Sequence, residues 1–149
     1  MAKVARAARV ASRQRLESVS GTKVITSAEA GELYLLTGVS TITLPAALDG
    51  SYFRFVVGDE FGNSATALVI QTSSSEALQG GVIVHKHNTS VTQTNAASGD
   101  SRTTITVDAN GGAANKVVEG TVIECYSDGT KWYLSGMILT EGTVAVAFS

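Results

Sequence analysis

His85 and His87 stand two residues apart in "VIVHKHN" and are the chain's only imidazoles. On an extended strand, positions i and i+2 share a face, so the pair can present two nitrogens to one metal ion. Two imidazoles leave an ordinary metal under-coordinated. Three chains meeting on an axis would supply six nitrogens, and His85 and His87 are the metal candidates on those terms alone; otherwise they are exposed strand residues or line a subunit interface. No GxSxG nucleophile elbow, P-loop, GxGxxG or CxxC is present. Asp59 and Glu60 in "VGDEFGN", and Asp108 in "VDANGG", lack the spaced carboxylates and closing glutamate of an EF-hand loop and fit Asx turns better. The single cysteine, Cys125, has no internal disulfide partner, and strand alternation sets it beside Ile123 on an inward face, a buried thiol without a base. Trp132, Tyr133, Phe53 and Phe55 suit a sugar or nucleobase platform in type, but their place within alternating strands assigns them to core packing, with Tyr133 and Tyr52 on the opposite faces. Catalysis needs converging titratable groups, and none is legible here, so the expectation is no catalytic residue, no enzyme activity and no cofactor.

Charge is divided sharply along the chain. Residues 1–23 hold Lys3, Arg6, Arg9, Arg13, Arg15 and Lys23 against Glu17 alone, while the remainder is acidic enough to bring the total to −2. The basic stretch lacks the continuous apolar segment of a secretory signal. It is arginine-rich and acid-poor like an organelle transit peptide, but Val4, Ala8 and Ala11 give it little apolar face. Clustered like charge attracts an acidic surface and can order on contact with it; nucleic acid and a protein lattice are both such surfaces. Lys3, Arg6, Arg9, Arg13 and Arg15 are therefore the candidate binding residues of an arm, extended or partly helical, over residues 1–23. No stretch approaches the roughly 20 apolar residues of a membrane span, so neither a membrane nor a membrane partner is expected.

From residue 23 onward short runs rich in Val, Ile, Thr, Phe and Tyr alternate with Gly, Asn, Asp and Ser, the pattern of strands and turns. Eleven strands are expected: "KVIT", "ELYLLT", "STITLP", "SYFRFVV", "ATALVIQT", "GVIVHKH", "SVTQT", "RTTITV", "GTVIECYS", "KWYLSGM" and "GTVAVAF". A period of two puts Phe53, Phe55 and Val57 on one face, and likewise Ile105 and Val107. Asp128-Gly129 predicts a two-residue hairpin turn of the mirror-image type, with both residues at positive φ. The polar stretch 93–100, "QTNAASGD", predicts an exposed loop. "GTVAVAFS" predicts an apolar final strand that needs a partner within the domain or in a neighbouring chain. The fold class is all-β: a single jelly-roll-like β-sandwich or β-barrel domain over residues 24–149.

The order "TITLPAALDGSYFRFVVGDEFGN", "VIVHKHN", "EGTVIECYSDGTKWYLSG" resembles the single β-domain that recurs in tailed-phage virion proteins, in capsid decoration (cement) proteins and in modules of fibres and spikes. The resemblance covers about residues 33–137. It implies an all-β trimer without enzymatic activity, located on the outer capsid surface, with the major capsid protein as partner and no direct binding of nucleic acid. The lone domain and basic arm resemble a cement protein that stabilises the shell against internal pressure. The alternative is a head fibre, tail spike or fibre module, or adaptor, that binds a receptor or glycan; a jelly-roll enzyme ranks last.

Overall fold

The structure is a computed structural model that describes residues 15–86, 92–97 and 102–149, the segment 92–97 as backbone alone. Twelve strands follow in order: β1 (Leu16–Val24), β2 (Leu33–Leu44), β3 (Tyr52–Val57), β4 (Phe61–Gly62), β5 (Leu68–Thr72), β6 (Leu78–Lys86), β7 (Thr92–Ala97), β8 (Thr104–Asp108), β9 (Lys116–Val117), β10 (Val122–Ser127), β11 (Trp132–Glu141) and β12 (Ala145–Phe148). One 3-10 turn, Ser27–Glu29, separates β1 from β2. All twelve strands join one sheet, ordered β12-β8-β5-β2-β3-β10-β11-β6-β7, with β1 added to β2 and the short β4–β9 pair attached to β11 through β9. The ends of this path, β12 and β7, come within 8 Å of each other between Cα atoms, so the sheet curls around its own interior. The all-β expectation of a sandwich or barrel is met.

Strand direction was not legible in the sequence. β1 with β2, β2 with β3, β2 with β5, and β6 with β11 are parallel, and the other pairs are antiparallel. The centre of this arrangement is β2. Its first half, Leu33 to Leu36, pairs with β3 and its second half, Ser40 to Leu44, pairs with β5, while β1 follows it on the other edge. Between Leu36 and Ser40 the register against β1 slips, because β1 advances from Val19 to Gly21 over the same interval. The two extra residues of β2 form a bulge around Thr37, Gly38 and Val39. An insertion of two preserves the alternation, so Tyr34, Leu36, Ile42 and Leu44 all face inward and are fully buried. The runs expected as two strands, "ELYLLT" and "STITLP", are thus one bulged strand.

Two further expectations shift. Residues 93–100 are not simply a loop: β7, which overlaps the expected strand "SVTQT", covers Thr92–Ala97 and pairs antiparallel with β6. The boundary between arm and domain moves as well. Residues 16–24 form β1 and pair with β2, so the domain takes up the second half of the 1–23 stretch and buries Val19. Residues 1–14, with Lys3, Arg6, Arg9 and Arg13, lie outside the described residues.

The core is one cluster fed by both halves of the sheet: Phe53, Phe55, Ile123, Trp132, Leu134 and Ile138 from one, and Ile42, Leu68, Ile70, Ile105 and Val107 from the other. Each large side chain moved fully out of water contributes on the order of 1.5–3 kcal/mol. Phe53, Phe55 and Val57 are buried as the period of two requires, and Tyr34 stacks on Phe55 with ring centroids 5.4 Å apart. Trp132 is fully buried against Phe53, and its Nε1 donates to the carbonyl of Pro45 at 3.2 Å. The only tryptophan is thereby tied to the chain's only proline. The final strand β12 pairs with β8 and buries Val146, which answers the question raised by "GTVAVAFS" with a partner inside the domain.

The hairpin between β10 and β11 forms, but not with the expected turn. Ser127 pairs with Trp132, leaving a four-residue loop, and only Gly129 has a positive φ, at 89°. Asp128 keeps a negative φ and acts through its side chain: Oδ1 accepts the amides of Thr130 at 2.9 Å and Lys131 at 3.1 Å, and the Thr130 hydroxyl at 2.7 Å. An Asx turn replaces the mirror-image turn, because the carboxylate supplies the acceptor that closes the longer loop.

Candidate functional site

The densest charged cluster among the described residues lies where the basic stretch enters the sheet. Arg15 donates from Nη1 to Glu32 Oε1 at 3.0 Å, and its carbonyl accepts the Leu33 amide at 2.9 Å. The parallel register sets Glu17 of β1 opposite Tyr34 of β2. Lys23, at the far end of β1, places Nζ 2.9 Å from Glu17 Oε1 and 2.7 Å from Glu29 Oε1. Glu29 closes a capping box on the 3-10 turn, its Oε2 accepting the Thr26 amide at 2.6 Å and the Thr26 hydroxyl at 2.7 Å. Glu17, Glu29 and Glu32 each bring a carboxylate oxygen within 4.8 Å of the others. Lys23 Nζ also sits 5.8 Å from the centroid of the Tyr34 ring. Two buried polar atoms here are poorly served: Glu32 Oε2 has no hydrogen-bond partner, and Tyr34 Oη has only a marginal interaction with Glu29.

These contacts set the protonation of the cluster. Burial alone would raise the Glu29 carboxyl, but the hydrogen bonds from Lys23 and Thr26 outweigh it and hold the group at about 2. Lys23 is raised from its ordinary value, first by its hydrogen bond to Glu29 and then by that to Glu17. Burial, and then the charges of the glutamates, push the Tyr34 phenol up. A carboxyl depressed in the folded state stabilises fully above its unfolded value, 4.5, and loses that contribution as pH falls through the folded value near 2. A partly exposed pair of this kind contributes up to about 1 kcal/mol. Thermal melts of Glu29→Gln against the parent are therefore expected to differ by a few degrees at pH 7 and to converge between pH 4.5 and 2. A difference that persists unchanged at pH 2 would contradict this origin.

A second surface is the outward face of β3, β10, β11 and β6. Register aligns Tyr52, Tyr126, Tyr133 and Gln79 in one row across these strands. The next row but one holds Val56, Val122, Met137 and Ile83, with Met137 and Ile83 about half exposed. Tyr126 and Tyr133 stack with centroids 5.1 Å apart, Tyr52 Oη donates to Glu124 Oε1 at 2.8 Å, and Tyr133 Oη donates to Asp128 Oδ2 at 2.9 Å. Asp128 is held below the usual carboxylate range, first by the Thr130 hydroxyl and then by the Thr130 amide and Tyr133. The outward aromatic row is formed by tyrosines, Tyr126 exposed and Tyr52 and Tyr133 half-buried; Trp132, Phe53 and Phe55 belong to the core, as their strand positions require.

The remaining sequence candidates separate. His85 is exposed on β6, opposite Leu139 of β11 and Thr92 of β7, and His87 lies outside the described residues. Cys125 is fully buried, and burial pushes its thiol well above the ordinary range, so it is not a nucleophile at neutral pH. Asp108 forms an Asx turn with the Asn110 amide at 2.7 Å, and Glu60 pairs with Lys116. Arg15 is the one described member of the five arm candidates, and its guanidinium engages Glu32 within the domain.

The convergence of Glu17, Glu29, Glu32, Lys23 and Tyr34 was missed in the sequence. The capping-box spacing of Thr26 and Glu29 was legible; the approach of Glu17 to Glu32 depends on the parallel pairing of β1 and β2 and has no local signature. No helix among the described residues is long and apolar enough to cross a membrane. Comparison with known protein families, with curated proteins and with solved structures finds no match.

Proposed function

We propose that this chain is a virion structural protein: a decoration protein that binds the outer surface of a tailed-phage head as a homotrimer, with the major capsid protein as partner, and stabilises the shell against internal pressure. The observation that carries this reading is the way the basic stretch is rooted. It enters the domain at Arg15 and continues as β1, a nine-residue strand whose backbone pairs with β2 along its length. A pull on the arm along β1 loads those ladder bonds together, so an attachment made by Lys3, Arg6, Arg9 and Arg13 passes its load into the whole sheet. Arginine suits the task because its fork engages carboxylates bidentately. Three arms on one trimer bind with an avidity well above that of one.

A second reading, a fibre, spike or adaptor module that binds a receptor or glycan, draws support from the tyrosine row and its flanking carboxylates, the groups that stack on and hydrogen-bond to sugars. Copy number separates the two. Quantitative mass spectrometry of intact particles is expected to find the chain within a few-fold of the major capsid protein. A handful of copies per particle would contradict decoration and favour the appendage.

A further inference from the structure

We propose that Glu17, Glu29 and Glu32, beneath the Tyr34 hydroxyl, form a binding site for a hard divalent cation, calcium in preference to magnesium, which Lys23 occupies with its ammonium when the metal is absent. The site stands apart from the reading of the chain as a decoration protein and holds for either proposed function.

Three observations converge on it. The three carboxylates each present an oxygen within 4.8 Å of the others, a spacing that a single ion can bridge. A cation already sits among them: Lys23 Nζ lies 2.9 Å from Glu17 and 2.7 Å from Glu29. That ammonium leaves the cavity incompletely satisfied, because the buried Glu32 Oε2 has no hydrogen-bond partner and the buried Tyr34 Oη has only a marginal interaction with Glu29. Glu32 is 7 % exposed and Tyr34 is 0 % exposed, so bulk water does not serve either atom. Poorly served buried oxygens of this kind call for a partner. A point charge with three donors cannot reach all of them, whereas a cation with its own bound waters can ligate the carboxylates and hydrogen-bond the phenol.

The chemistry favours calcium. All the available ligands are oxygens, and calcium accepts six to eight of them in a flexible geometry, whereas magnesium demands a near-ideal octahedron and gives up its water reluctantly. Glu17 is mounted on a strand that pairs on one edge only among the described residues, and Glu29 on a single turn, supports that adjust to a larger ion. Lys23 is on that same strand, partly exposed, and its four-carbon stem lets the ammonium swing into solvent when displaced. Competition with a tethered ammonium sets the affinity in the weak range of extracellular calcium modules, about 10⁻³ M.

The test is isothermal titration of the full chain with calcium chloride and, separately, magnesium chloride at matched ionic strength, together with terbium(III) emission sensitised by nearby tyrosine. Saturable calcium binding is expected, with magnesium at least fivefold weaker. Lys23→Met is expected to tighten calcium about tenfold by removing the competing charge, and Glu32→Gln to weaken it about tenfold. Glu119→Gln, exposed in the turn between β9 and β10, is expected to change nothing. Absence of saturable binding to both the parent and Lys23→Met would overturn the site, and so would equal affinities for the parent and Glu32→Gln. Should Glu32→Gln fail to fold, Glu17→Gln carries the same expectation from the more exposed side of the cluster.

Discussion

Trp132→Ala is expected to lower the melting temperature by about 10 °C or more, the largest stability effect of any single side chain here. Removing a fully buried large aromatic costs about 3–5 kcal/mol, the lost transfer energy plus the cavity left behind. Total stability for a domain is about 5–15 kcal/mol, so the variant loses a large part of it. Two losses add to the cavity. Phe53 loses the ring whose centroid lies 5.6 Å from its own, and the buried Pro45 carbonyl loses its donor at 3.2 Å. The second loss can be isolated: Trp132→Phe keeps most of the volume but not the Nε1 hydrogen, and is expected to cost about 1–3 kcal/mol, the penalty of an unsatisfied buried acceptor. Differential scanning calorimetry of both variants checks the order. Equal melting temperatures for the parent and Trp132→Ala would mean that the tryptophan does not join the β2 end to the β10–β11 hairpin.

The hairpin, the tryptophan and the inward faces were legible because they are local. Alternation in "SYFRFVV" and "RTTITV" reports which side chains face the core, whatever the partner strand. Pairing direction is not local. A strand carries no mark of whether its neighbour runs with it or against it, so the parallel β1–β2 and β6–β11 ladders lay beyond the sequence. Gly38 resembled a break between strands, and a bulge of two residues, which leaves the inward face unchanged, gives the same local signal. The turn at Asp128 was misassigned for a related reason. Asp-Gly favours both a mirror-image turn and an Asx-closed loop, and the choice is made by the register of Ser127 with Trp132.

Gly80 shows the same limit on the side of packing. Its φ is 115°, and a Cβ there would stand 1.9 Å from the Leu134 carbonyl oxygen across the β6–β11 ladder. The sequence marks a Gly-Gly pair entering a strand; only the parallel partner explains why the first of the two must lack a side chain. The charged cluster was hidden likewise. Lys23 belonged to the basic stretch by its position, but Glu17 and Glu29 hold it within the domain. Counting charges along residues 1–23 therefore overstated the arm, and Lys3, Arg6, Arg9 and Arg13 are what remains of it.

That correction defines the decisive deletion. Removal of residues 2–14 takes away those four cations and stops before Arg15, whose carbonyl and guanidinium both hold the start of the sheet. A longer deletion, to residue 20, would also strip half of β1, uncover the site of buried Val19 and leave Glu32 without its counter-ion. The shorter form is expected to keep the parent's melting temperature and its oligomeric state, a trimer on the proposed reading. Its attachment is expected to fall at least a hundredfold, because all three arms of the proposed trimer would be lost at once. Charge-driven attachment is also weakened by salt, as screening shortens the reach of exposed charges to about 3 Å at 1 M. Co-sedimentation of both forms with emptied heads of the cognate phage, at low and high salt, measures this directly. The account predicts saturable binding of the full chain that weakens with salt, and none of the 2–14 deletion. Equal binding of the two forms would contradict it.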